Sequence, residues 1–352
     1  MDSKLWEDVS EGDRLPALEV PITLRTYILA VVGERDFNPV HHNSAFARAS
    51  SNNRDMWLNT MWHQGLFARF VTDWTGPDSD FRSTTVHLVG VICPGDTVTV
   101  EGEVSRTFEQ GGDHCIEVEI AAKTQLGPVA RASAVMAMPS RAAGAVVPRL
   151  EIEKPRVEPD PDMPNFARAW LGEVTPPLWG AYPVSDAQIM YWCDMAEDAN
   201  PLYVDGAYAR GSRHSGAIAP PPSLFTWIMG RPSHFGDDFE RPDPDDARVR
   251  PWPPAQLDHE GRPIGGRLIT ALIAGDWDPP GATRLAAQRC TQEYGRPVRP
   301  GDRLYTRSEV ANCTSLKRTR VGEGYFVTVL TSFYNQRDEL VGTSQYAFFR
   351  YR

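Results

Sequence analysis

Two stretches of the chain repeat one another without a gap. Residues 36–50 read DFNPVHHNSAFARAS and residues 198–212 read DANPLYVDGAYARGS, an offset of 162 with seven of 15 positions identical. A second echo sets Pro94-Gly95-Asp96 against Pro300-Gly301-Asp302, at an offset of 206. Such self-similarity means two copies of one folding unit, and the 44-residue difference between the offsets places an insertion in the second copy. Residues 231–263 supply it: proline, aspartate and glycine dominate them without apolar periodicity, which predicts a long surface loop. Residues 146–165, rich in proline and glutamate, read as a linker. The division is then 1–145 for the first domain and 166–352 for the second.

Each copy has the same order of elements. A short helix is predicted over about 23–34 in the first and about 185–197 in the second, where Ser185 is a good N-cap. The D-x-N-P turn follows, then a short helix over SAFARA or GAYARG. A longer apolar helix is predicted over about 56–74, with Leu58, Met61, Trp62, Gly65, Leu66 and Val71 at helical spacing. In the second copy Pro220, Pro221 and Pro222 open a helix running through Leu224, Trp227 and Ile228. Alternating segments such as TVTVEGEVSRTF and GYFVTVLTSFYN read as antiparallel strands. The class is α+β. A curved sheet wrapped around one helix buries both apolar faces, and two such halves can join as one sheet.

A length of 352 residues suits two domains. The formal net charge of −10 argues against nucleic acid or an anionic membrane surface as the partner. Five cysteines, with no C-x-x-C, predict reduced core thiols rather than a disulfide framework or zinc site. The polar N-terminus lacks a signal-peptide core, and no apolar run approaches about 18 residues, so a cytoplasmic protein is expected. No G-x-G-x-x-G follows a strand, and no G-x-S-x-G is present. No cofactor or metal is expected.

The stretch Asp36-Phe37-Asn38-Pro39-Val40-His41, with small residues at Ala45 and Ala47, resembles the hydratase motif of the MaoC-like family of hot-dog-fold enzymes. Gly33 stands where that family carries a glycine just before the aspartate, displaced by Glu34 and Arg35. The Pro-Gly-Asp strand starts are also similar, and the second half resembles the degenerate partner domain of fused, double hot-dog members. The chain also looks like actinobacterial hydratases acting on steroid side-chain enoyl-CoA esters.

That resemblance implies a double hot-dog fold, an acyl-CoA thioester substrate and Asp36 with His41 as the catalytic pair. Hydrating a conjugated thioester needs a base for water, an acid for the α-carbon and donors for the enolate oxygen. An aspartate and a histidine brought together by a proline turn can share the first two tasks. Asn38 either holds the turn or orients the aspartate through its amide. In the family the enolate is held by backbone N–H groups at the start of the central helix, which makes Gly65 the candidate donor; its lack of a side chain equally suits close packing. His63 either lines the site or packs. His42 reads as a neighbour of the pair. Lys317, Arg318 and Arg320 form the densest basic cluster, for the CoA phosphates or as a solvated strand end. Phe225, Trp227 and Met229 are the candidate walls of an acyl pocket.

The second copy keeps Asp198 and Asn200 but has Tyr203 in the histidine position, so one site per chain is expected, with bulky or long acyl groups favoured. Three alternatives stay open: dehydration of a carrier-bound 3-hydroxyacyl chain, a thioesterase, and a silent acyl-binding subunit. The oligomeric state, a homo-oligomer included, is also open.

Overall fold

The computed structural model describes residues 3–51, 53–172, 174–230, 256–257, 262–264 and 284–352. The insertion expected at 231–263 therefore falls largely outside the described residues. Among the described residues no helix is long and apolar enough to cross a membrane.

The first half contributes β1 (Arg14–Pro21), α1 (Leu24–Glu34), α2 (Ser44–Ser50), α3 (Thr60–Thr75), β2 (Asp80–Leu88), β3 (Thr97–Gln110), β4 (Asp113–Thr124) and β5 (Gly127–Ala137). The second contributes α4 (Asn165–Arg168), β6 (Leu178–Trp179), α5 (Asp186–Ala196), α6 (Pro201–Val204), α7 (Gly206–Gly211) and a 3₁₀ helix over Pro221–Ile228. Its remaining strands are β7 (Gln256–Leu257), β8 (Pro263–Ile264), β9 (Arg284–Tyr294), β10 (Tyr305–Cys313), β11 (Lys317–Thr319), β12 (Gly322–Tyr334) and β13 (Leu340–Tyr351).

One sheet holds them in the order β1-β3-β4-β5-β2-β9-β13-β12-β10-β6-β8-β7, with β11 paired to β12. The order β1-β3-β4-β5-β2 is mirrored by β9-β13-β12-β10-β6, so each half has the same topology. The halves meet where β2 runs antiparallel to β9, with Val86 opposite Cys290. A closed seam of this kind covers an edge that each half alone would expose.

Both echoes in the sequence have the same physical cause in each half. Gly95 (φ 87°) and Gly301 (φ 91°) take the left-handed turn that glycine favours. Asp96 then accepts from the N–H of Cys93 at 2.8 Å and from Gln125 at 2.8 Å. Asp302 accepts from the N–H of Arg299 at 2.9 Å and from Gln336 at 2.9 Å. All five cysteines are free and buried.

The central helices differ between the halves. α3 is a regular helix of 16 residues, buried along most of its length. Its counterpart at Pro221–Ile228 is 3₁₀ rather than the α-helix a proline-led start suggested. Successive prolines remove backbone donors, and Ser223 Oγ donates to the carbonyl of Pro220 at 2.6 Å instead.

Candidate functional site

α1 ends at Glu34 and is capped by Arg35, whose φ of 58° is left-handed. The guanidinium of Arg35 lies over the Tyr182 ring, 4.3 Å from its centroid, and donates to the carbonyl of Gly230 at 3.2 Å. Those contacts hold a non-glycine residue in a conformation that ordinarily costs about 1–2 kcal/mol. The chain then reverses into Asp36, which is 5% exposed.

The side-chain amide of Asn38 serves the turn, and it is the backbone N–H that meets the aspartate. Its side-chain oxygen accepts from the N–H of Val40 at 3.3 Å and so holds the turn. Its backbone N–H donates to Asp36 Oδ1 at 3.1 Å. Pro39–His41 form one turn of 3₁₀ helix. His41 is thereby swung back onto Asp36, with Nε2 3.7 Å from Oδ2.

The tautomer of His41 follows from its other contact. Nδ1 lies 2.7 Å from the carbonyl of Trp57, which only accepts, so Nδ1 carries the hydrogen and Nε2 is a free base. Burial pushes the imidazole down to about 4, against the Trp57 carbonyl, which raises it; nearby His42 lowers it further. It is therefore uncharged at neutral pH. His42 turns away, with Nε2 3.2 Å from the carbonyl of Phe37.

A residue outside the motif completes the arrangement. Asn59 Nδ2 donates to Asp36 Oδ2 at 3.1 Å, and Asn59 Oδ1 accepts from the N–H of Trp62 at 3.1 Å. Asn59 is the N-cap of α3, which starts at Thr60 rather than near 56. The carbonyls of Met56 and Trp57 face Tyr27 and His41 instead of a helical turn. At that start the side chain of Thr60 hydrogen-bonds the hydroxyl of Tyr346, on β13 of the other half. Asparagine before an apolar helix was a readable cap signal; a partner 286 residues away had none.

Gly65 does not lie at the helix start. As the sixth residue of α3 it lies beyond the N–H groups that a helix leaves free. A Cβ there would lie 3.1 Å from Met195 Cε and 3.4 Å from Ala196 Cβ, so the glycine admits α5. The first-turn N–H groups of Thr60 and Met61 are the ones without an intrahelical acceptor. His63 is 2% exposed, with Nδ1 2.7 Å from the carbonyl of Asn59 and its ring against Trp62 and Phe67. Burial pushes it down to about 4.

Of the basic cluster, Arg320 alone lines an open cavity of about 1000 Å³, together with Arg54, His87, Glu119 and Arg131. Arg318 is exposed and pairs with Glu323 at 2.9 Å, and Lys317 donates to Ser315 at 3.0 Å. Phe225, Trp227 and Met229 are all buried. Phe225 packs between Phe333 and Tyr346, and Trp227 Nε1 donates to Ser223 Oγ at 2.8 Å.

The second copy reproduces the turn without the pair. Asp198 Oδ1 accepts from the N–H of Asn200 at 2.9 Å, and Asn200 Oδ1 from that of Leu202 at 3.0 Å. Tyr203 is buried, and burial raises its hydroxyl well above the usual tyrosine range. Asp198 is pushed up to about 6, first by burial.

Known proteins carry the same architecture. Residues 169–249 and 276–344 match the model of the FAS1-like dehydratase domain region. A Mycobacterium tuberculosis protein described as a double hotdog fold aligns over 99% of both chains at TM-score 0.61 and 12% identity. A MaoC domain protein dehydratase from Chloroflexus aurantiacus aligns over 99% of this chain and 98% of that one, at TM-score 0.64 and 13% identity. These two establish a double hot-dog fold. The beta subunit of 3-oxo-4,17-pregnadiene-20-carboxyl-CoA hydratase from M. tuberculosis is 31% identical over 127 residues, 36% of this chain and 95% of that subunit. The chain belongs to the MaoC-like hydratase family. A Thermomonospora curvata protein described as a probable enoyl-CoA hydratase alpha subunit is 29% identical over 192 residues, 54% of this chain. The chain spans about half of that relative's length (52%).

Proposed function

We propose that this MaoC-like protein hydrates trans-2-enoyl-CoA thioesters, or runs the reverse dehydration of 3-hydroxyacyl thioesters. The carrying observation is the 3.7 Å gap between His41 Nε2 and Asp36 Oδ2. It is too long for a direct hydrogen bond and suits one water bonded to both acceptors. As the water oxygen adds to the β-carbon, Nε2 takes one of its protons. The double-bond electrons move onto the thioester oxygen, where the free N–H groups at the α3 start offset the charge. The proton on Nε2 then passes to the α-carbon and restores the neutral imidazole. Water is added in full, and no cofactor enters.

Residues 1–145 are the catalytic domain in this proposal, 146–165 the linker and 166–352 a second domain without a working pair. Arg54, Arg131 and Arg320 around the open cavity suit the CoA phosphates. The relative's steroid-derived thioester supports a bulky acyl group. Names as alpha and beta subunits support an assembled form, read from the mass in solution.

The test is an assay of the purified chain on enoyl-CoA esters from crotonyl to steroid-sized. Loss of the conjugated thioester absorbance without release of free thiol is expected. Release of free CoA would instead identify a thioesterase, and no reaction across the series would overturn the proposal.

A further inference from the structure

The amide of Asn59 joins the Asp36 carboxylate to the first turn of α3. Its Nδ2 donates to Asp36 Oδ2 at 3.1 Å and its Oδ1 accepts from the first turn of α3 at 3.1 Å. The orientation of the amide is forced, because a carboxylate only accepts and a backbone N–H only donates. The Asn59 carbonyl is fixed as well, by His63 Nδ1 at 2.7 Å. The oxygen that Asn59 binds is the same oxygen that faces His41 Nε2. Asp36 Oδ1 is held separately, by the N–H of Asn38, so the carboxylate is gripped at both ends.

We infer that Asn59 is a positioning residue, whose amide ties the Asp36 carboxylate to the start of α3 and turns Oδ2 toward His41. The inference rests on the hydratase reading above. It assigns one residue the task of fixing the Asp36 carboxylate, which holds the water beside His41, relative to the helix end that receives the thioester oxygen. Orientation of a reacting group within a fraction of an ångström is what such contacts supply.

The helix cap and the positioning role separate experimentally. Serine and aspartate cap helices about as well as asparagine, so Asn59→Ser and Asn59→Asp keep α3. Neither presents the N–H that Oδ2 accepts, and aspartate adds a like charge. Both variants are expected to unfold within a few degrees of the wild type. Their kcat is expected to fall by up to about 100-fold, the scale for a misplacement of about 1 Å in a reacting group, with KM little changed. Titration of the Asp36 carboxyl, followed by carbon NMR in the full chain, is expected to move to higher pH in both, further in Asn59→Asp. Wild-type kcat together with wild-type titration in both variants would reduce Asn59 to a helix cap. A shifted titration in a chain that hydrates no enoyl-CoA would keep the clamp and overturn the hydratase reading, so the two failures are distinguishable.

Discussion

His41 Nε2 faces Asp36 Oδ2 across 3.7 Å, while His41 Nδ1 is tied to the carbonyl of Trp57. Burial holds the imidazole down to about 4, so it stays a neutral base well below the usual histidine range. The hydration rate, measured as kcat/KM against pH, should therefore stay level as pH falls through 6.5. It should decline only as pH approaches 4. An acid limb centred near 6.5 would mean that His41 titrates like an exposed histidine.

Stability should respond to Asp198 with the opposite sign. Burial pushes its carboxyl up to about 6, above the ordinary aspartate value of 3.8. The proton is bound more tightly in the folded chain, so this contribution is present below 3.8 and lost as pH rises through 6. Asp198→Asn mimics the protonated form and keeps an oxygen for the Asn200 N–H. The variant should raise Tm at pH 7 and leave it nearly unchanged at pH 4, by calorimetry. The histidines His41, His63 and His214, held down at about 4, 4 and 3 by desolvation, act the other way. Their contribution is present above 6.5 and lost as pH falls from there. A variant less stable than the wild type at pH 7 would contradict the burial argument.

Thr60 and Tyr346 join the two halves at the start of α3. Thr60 is 5% exposed, so Tyr346→Phe should cost about 1–3 kcal/mol, the range for leaving a buried polar group unsatisfied. Chemical denaturation reads this directly. Turnover should fall together with stability, because the helix start is disturbed. Unchanged stability would show that the hydroxyl has no net role.

The two ends of the basic cluster should behave differently. Arg320 lines the open cavity, and Arg318 is paired with Glu323 in solvent. Arg320→Ala should raise KM for a CoA thioester several-fold more than for the matching pantetheine thioester, which lacks the nucleotide phosphates. Arg318→Ala should leave both unchanged. Equal effects from the two substitutions would remove the cavity from phosphate binding.

What was legible in the sequence was local. Asp36, Asn38, Pro39 and His41 lie within one turn, so their convergence needed only proline geometry and an Asx bond. The repeat likewise exposed the twofold organisation, because Asp96 and Asp302 close equivalent turns by the same bonds. Contacts between distant segments were not legible. Tyr346 reaches Thr60 from the far half, and Gly65 is small because Met195 and Ala196 of α5 press on it. Apolar spacing drew the long helix from 56, yet the carbonyls of Met56 and Trp57 are taken by Tyr27 and His41. That error hid Asn59, the cap that holds Asp36. Phe225 and Trp227 read as pocket walls because they are large and apolar; against Phe333, Tyr346 and Ser223 they are packed core.

The most direct measurement is single-turnover hydration of an accepted enoyl-CoA by Asp36→Asn and His41→Ala beside the wild type. Each substitution should lower the rate by roughly 100-fold or more, the usual scale for an acid–base group, with Tm nearly unchanged. Near-wild-type turnover in either variant would show that the pair across the 3.7 Å gap does not carry the reaction.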